Sequence, residues 1–336
     1  MPALRERWAL AFALTRPLAF ALALPVELAA AACGGGSAPA RMPEPSALAP
    51  KPAAPPALAP QPRPEAETEP IAEGEACGAL ACRRFEDAAS ALRYVLREAP
   101  LALGIGEAHA PAGSEQVPTT AARFAEQLLP VLQGRASHII VELLAPNPEC
   151  PRAESGLEQA QKPVIRAQSR ENQSDYLSIG VQARALGIEP FVLTPSCEEF
   201  RAIGAAGEDA LRATLATIAT ITTRMAKGAL LQNRKAGSDQ IVLAYGGALH
   251  NDLGPSDDTR AAFRYGAALK HFTAGRYVAL DLIVREFIKD NAAWRALPWY
   301  GKFDPQSAPE SCVLLSPSPQ SYVLFFPGST PSAASD

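Results

Sequence analysis

Apolar residues recur at a helical period from Phe85 to Glu98 (FEDAASALRYVLRE), and Pro100 closes the run. The next stretch, Leu101 to Gly106, is short and apolar throughout, which predicts a buried strand. The same alternation continues down the chain. A helical period runs from Thr119 to Gly134 through Phe124, Leu128, Leu129 and Leu132, and His138 to Leu143 predicts a second strand. Beyond a proline-marked loop (APNPECP), a helix is expected near Ser174 to Gly187 and a third strand at Phe191 to Thr194. A long helix from Glu208 to about Arg234 precedes a fourth strand at Gln240 to Tyr245. Asp257 to Phe272 predicts a helix and Tyr277 to Val284 a fifth strand. Two late runs, Cys312 to Leu315 and Tyr322 to Phe326, are expected to pair at the sheet edge.

Strands apolar on both faces, alternating with helices, predict an α/β fold with a mostly parallel central sheet flanked by helices. In such sheets ligands gather outside the carboxyl ends of the strands, so the residues just past each strand carry the functional information.

Composition divides the 336 residues unequally. Residues 1–32 read as an export signal: Arg5 and Arg7, an apolar stretch clearest from Pro17 to Pro25, then Ala29 to Ala32 before Cys33. Cys33 followed by three glycines is similar to a bacterial lipobox, in which the cysteine is acylated. Arg16 and Glu27 depart from that pattern, so a plain secretory signal is the alternative. They also leave the stretch too interrupted for a membrane span. Gly34 rather than an aspartate resembles outer-membrane sorting. Residues 33–73 follow as a tether: Ser37 to Pro70 holds 11 of the 32 prolines and few residues able to build a core. Residues 74–330 form the expected single domain. A net charge of −4 with scattered Lys and Arg sets nucleic-acid binding aside and leaves a small-molecule ligand or substrate as the expected partner.

With Cys33 assigned to the anchor, five cysteines remain, enough for two disulfides and one free thiol. Cys77 and Cys82 are close enough to pair locally, and Cys150 with Cys197 is a plausible second bridge because both follow expected strands. An oxidising compartment favours a bridge over a nucleophilic role for Cys197.

The strand ends hold the candidate chemistry. After the first strand comes Gly104-Ile-Gly106-Glu107-Ala-His109, which begins like a dinucleotide fingerprint but has His109 at the third glycine. Glu107 would place negative charge where a pyrophosphate needs bare amides, so the nucleotide reading fails. The second strand ends in Glu142, costly to bury without a partner. The fourth ends in Tyr245-Gly-Gly-Ala-Leu-His250-Asn-Asp252, again glycines followed by an imidazole. Two of the four histidines thus occupy matching turns, with Glu107 and Glu142 at equivalent ends. Asp281, inside an apolar strand, either orients one of these histidines or is bonded to backbone or an arginine. His138 and His271 read as packing or surface residues.

A strand running into GEAH, a helix, a strand ending in Glu and a later strand running into GGALH resemble one superfamily. It contains ChaN-type haem-binding uptake lipoproteins, Tiki/TraB proteins and erythromycin esterase-like hydrolases. The likeness spans about residues 85 to 290 as an order of elements, and its specific content is GxGEAH at 104–109, Glu142 and GGALHND at 246–252. In the hydrolase branches it implies that His109, Glu142 and His250 activate water. In the Tiki branch it implies a divalent metal, and in the ChaN branch haem binding.

Three functions follow. In a hydrolase, His109 is a general base, oriented by Glu107 or Glu142 and aided by His250; alternatively Glu107, His109, Glu142 and His250 together hold a divalent metal. GxSxG and HExxH are absent, which disfavours serine and zincin routes. In a capture lipoprotein, His109 or His250 ligates haem iron. The third is a degenerate scaffold, against which intact GEAH and GGALH argue.

Overall fold

The computed structural model describes residues 71–150, 161–162, 164–253, 260–307 and 310–329. Contacts divide the chain into Met1–Arg63 and Pro64–Asp336, and the described residues all belong to the second unit. The export signal, Cys33 and most of the tether lie outside the described residues, among which no helix is long and apolar enough to cross a membrane.

The unit is built on one nine-stranded sheet. Its strands are β1 (Glu75–Gly78), β2 (Cys82–Phe85), β3 (Ala102–Glu107), β4 (Ala136–Leu144), β5 (Glu189–Leu193), β6 (Ile241–Gly247), β7 (Tyr277–Ile283), β8 (Cys312–Ser318) and β9 (Ser321–Phe325), in the order β1-β2-β8-β9-β7-β3-β6-β4-β5. From β9 to β5 neighbours run parallel; β1, β2 and β8 pair antiparallel. The fold is therefore α/β with a mostly parallel mixed sheet covered by helices. β3 lies centrally, with β6 and β4 on one side and β7 on the other, which puts the turn after it beside three other strand ends.

Eight α-helices are described: α1 (Ala88–Val95), α2 (Thr120–Arg123), α3 (Glu171–Ala185), α4 (Cys197–Ala205), α5 (Ala210–Lys235), α6 (Ala248–Asn251), α7 (Gly266–Phe272) and α8 (Ala292–Arg295). Asp87 caps α1 by accepting from Ser90 N at 2.6 Å. Proline at 130 cannot give an amide hydrogen to the preceding turn; α2 accordingly widens to a π turn at Phe124–Leu128 and ends as a 3₁₀ turn at Leu129–Leu132. Buried residues of α1, the α2 segment and α3 join Leu103, Ile105, Leu243 and Tyr245 in one core. On the other sheet face Ile218, Ile221, Ala226 and Leu230 of α5, spaced at helical turns, pack with Ala102, Val242, Ala244 and Tyr277. Each buried leucine, isoleucine or valine among these contributes about 1.5–3 kcal/mol over remaining exposed. Successive residues of one strand thus serve opposite layers, as the pleat requires.

The two late runs pair as expected, two other expectations change, and one helix was not foreseen. The hairpin β8–β9 does not end the sheet, because β2 pairs with β8 and extends it to β1. The helix expected from Asp257 to Phe272 is instead a 3₁₀ turn at Ala261–Phe263 and α7, separated by extended backbone at Arg264 (φ −112°, ψ 130°); residues 254–259 lie outside the described set. The break has a cause: Tyr265 N donates to His250 O at 2.9 Å, tying that backbone to the turn after β6. Helix α4, unforeseen, starts with a capping box in which Ser196 accepts from Glu199 N and Glu199 accepts from Ser196 N. Both disulfides form, Cys77–Cys82 and Cys150–Cys197, while Cys312 is a buried thiol pushed by burial up to about 12.

Candidate functional site

Parallel register fixes the site. Glu107 at the end of β3 stands opposite Gly247 of β6 and Leu282 of β7, and Gly106 opposite Gly246 and Asp281. Glu107 points to the α1–α3 side of the sheet, where it is buried among Tyr176 of α3 and Tyr245 of β6. Tyr176 donates to its Oε1 at 2.9 Å, and Tyr245 donates to its Oε2. His109 Nδ1 lies 2.6 Å from Oε1. Three donors thus compensate a carboxylate only 1% exposed, which would otherwise be expensive to bury. A carboxylate can only accept, so Nδ1 carries a proton and Nε2 of His109 is the nitrogen left for chemistry. The His109 side chain is 31% exposed.

Glu142 rises on the opposite face, the one Ile140 shares with α5. Its Oε2 accepts from Gly247 N at 2.9 Å and its Oε1 lies 3.5 Å from His250 Nε2. The other nitrogen of His250 bonds Phe263 O. Both partners are acceptors, so this almost fully buried ring is satisfied in full only as an imidazolium. Burial lowers the affinity of His250 for its proton, but the charge and hydrogen bond of Glu142 and the Phe263 carbonyl outweigh it and raise the pKa above the ordinary histidine value. Burial likewise raises Glu142, and the His250 charge and hydrogen bond, with His109, hold it below the usual carboxylate range. His109 is also raised: burial opposes the proton, while the hydrogen bond and charge of Glu107 and the charge of Glu142 prevail.

The two pairs meet over Gly246-Gly247. A Cβ on Gly246 would sit 2.0 Å from Glu142 Oε2, so only glycine lets that carboxylate lie down on the strand end. A Cβ on Gly247 would be 3.6 Å from His109 Nε2 and 4.0 Å from Glu142 Oε2, ordinary contacts that show both groups facing one spot. The sequence-derived quartet Glu107, His109, Glu142 and His250 is brought to one edge as two histidine–carboxylate pairs. Glu107 and Glu142 reach it from opposite faces rather than side by side.

Asp281 touches neither histidine through any hydrogen bond. It accepts from Asn251 Nδ2 at 2.9 Å, and burial, partly offset by that bond and reinforced by Asp252, raises it to about 7. Asn251 is fully buried; its Nδ2 also points at Gly104 O and Leu280 O, and its backbone oxygen accepts from Tyr277 at 2.7 Å. A Cβ on Gly106 would meet Asn251 Oδ1 and Asp281 Oδ1, each at 2.7 Å. Asn251 therefore anchors the α6 turn that carries its neighbour His250. His138 packs, stacked on Phe191 with centroids 5.6 Å apart.

The metal reading meets the donor set. Both oxygens of Glu107 are taken by tyrosines and His109, and both nitrogens of His250 by Phe263 and Glu142. No group of three His, Cys, Asp or Glu side chains among the described residues converges to hold a metal ion. Tyr176, Tyr245 and Asn251 were missed by sequence reasoning. The last two stand inside the quoted YGGALHND motif, whereas Tyr176 is 69 residues from Glu107 with nothing local to mark it. No family model matches the chain, and neither curated proteins nor solved structures provide a match.

Proposed function

We propose that the domain is a hydrolase of the ChaN, Tiki/TraB and erythromycin esterase-like type, held outside the cytoplasm by an acylated Cys33, with His109 as its base. The observation that carries this reading is the Tyr176/Tyr245–Glu107–His109 chain. It fixes one tautomer of the imidazole, buries its orienting carboxylate and presents a single nitrogen at the ligand edge of the sheet. Nε2 takes a proton from water, the water oxygen adds to the substrate acyl carbon, and the imidazolium returns that proton to the leaving group as the acyl bond breaks. The His250–Glu142 pair supplies fixed charge beside the reacting atoms.

The same free Nε2 favours one alternative, capture of haem through His109. His250, with both nitrogens engaged, is the weaker axial ligand. One experiment separates the two. The purified full-length chain is assayed against a panel of aryl and alkyl esters and titrated with haem, each with His109→Ala. Turnover lost by at least 100-fold in the variant supports the hydrolase. A His109-dependent Soret shift without turnover supports capture, and wild-type behaviour of the variant in both assays overturns the site.

A further inference from the structure

The long connection from β7 to β8 leaves and rejoins the sheet at its carboxyl edge. β7 ends there at Ile283, and β8, antiparallel to β9 and hence to β7, begins there at Cys312. This connection walls a cavity of about 640 Å³, lined among others by Arg285, Ile288, Tyr300, Lys302, Phe303 and Asp304. A second cavity, of about 220 Å³ beside Leu101, Gln240 and Thr273, lies at the amino ends of the strands and cannot share a ligand with His109.

The larger cavity is built rather than incidental. Trp299, 2% exposed, also lines it, meeting Phe325 edge to face at 5.0 Å and lying 5.8 Å from Tyr300, and Phe303 lies 4.8 Å from Phe325. Arg285 is clamped by the carbonyls of Phe326, Pro305 and Ser311. Ala108, the residue between Glu107 and His109, packs against the mixed hydrophobic cluster of Ile283, Val313, Leu315 and Val323 to which Trp299 and Phe325 also belong. The cavity wall and the turn that carries the proposed base thus border one hydrophobic cluster at the same edge of the sheet. Its charged lining is two cations, Arg285 and Lys302, against one carboxylate, Asp304.

We propose that this cavity is the substrate pocket of the enzyme and that it takes a planar aromatic group bearing one negative charge. Tyr300 and Phe303 offer ring faces and edges to an aromatic plane. Ile288 closes the apolar side, and exposed Lys302 answers the anion at the rim. The substrate class is then an ester or amide whose aromatic moiety carries a free carboxylate apart from the acyl bond that is cut. This assignment rests on the hydrolase reading, but the pocket itself can be tested without it.

Calorimetry of the full-length chain with 1-naphthoate and with uncharged 1-naphthamide tests the pocket. Naphthoate should bind about five-fold more tightly than the amide. Lys302→Glu, on an exposed side chain, should erase or reverse that difference, and Phe303→Ala should weaken both about ten-fold. Equal binding of both probes by wild type and Lys302→Glu, or no binding at millimolar concentration, overturns the pocket. Where esters are turned over, naphthoate should raise KM without changing kcat; inhibition that leaves KM unchanged removes the pocket from the site and leaves the hydrolase standing. Naphthoate binding that obeys both variants in a chain without turnover supports the pocket and removes the hydrolase.

Discussion

Glu107 and His109, two residues apart on one turn, face each other at 2.6 Å between Oε1 and Nδ1. The pairing raises the imidazole above its ordinary value, and it does so against the burial that opposes protonation. Since the neutral ring is the base, turnover should rise on the alkaline side, with a midpoint above the usual histidine value of about 6.5. Glu107→Gln removes the charge, so the midpoint moves down while kcat on the plateau falls. Histidine NMR titration of wild type and variant checks the shift directly; an unmoved His109 midpoint would refute the pairing.

Tyr245→Phe deletes the donor to Oε2 and leaves a buried carboxylate oxygen unmatched. Stability should fall by about 1–3 kcal/mol, more than a surface Tyr→Phe change would cost. Urea unfolding monitored by circular dichroism measures it. Tyr176→Phe should behave alike, and the double variant should fall short of additivity because both hydroxyls serve one carboxylate.

Adjacent glycines should respond very differently to the same methyl group. Gly246→Ala drives Cβ into Glu142 Oε2 and should cost about 1–3 kcal/mol and uncouple Glu142 from His250. Gly247→Ala meets only ordinary contacts and should stay within about 1 kcal/mol of wild type, while crowding the space before His109 Nε2. Thermal melts beside ester kinetics or haem titration distinguish the pair.

Asp281, raised to about 7 from 3.8, binds its proton more tightly folded than unfolded. The folded chain therefore holds more protons between those values, and this group's contribution to stability falls as pH climbs from about 4 to about 7. Asp281→Asn keeps an acceptor for Asn251 Nδ2 without the charge. It should stabilise the domain at pH 8 by on the order of 2 kcal/mol and make no difference near pH 4. Equal gains at both pH values would contradict the assignment.

Removing the bridges should separate them by loop length. Cys150–Cys197 closes 47 residues and Cys77–Cys82 closes 5. Paired serine variants should lose about 4 and about 2 kcal/mol on chain-entropy grounds, measured by denaturant unfolding.

Strands β3, β4, β6 and β7 and the edge they share were legible because each is an apolar run with glycine or an acid at or near its carboxyl end. That was enough to bring four separated residues to one place. What escaped depends on contacts the local pattern does not encode. β1 and β2 (EACG, CRRF) carry too few apolar residues to announce strands and are held by a disulfide and by β8. The break at Arg264 arises because His250 claims the neighbouring backbone. Tyr176 looks like any aromatic on a helix until the fold lays that helix over Glu107.

The sheet itself is a partition between two supports. Tyr176 and Tyr245, which fix the Glu107–His109 pair, belong to one hydrophobic layer, whereas Tyr265 and Tyr277, which hold the backbone of His250 and Asn251, belong to the other. The two imidazoles are thus tuned from separate reservoirs of packing. Loosening the layer under α1–α3 should detune one histidine, and loosening the layer under α5 the other, so each can be adjusted while its partner is left in register.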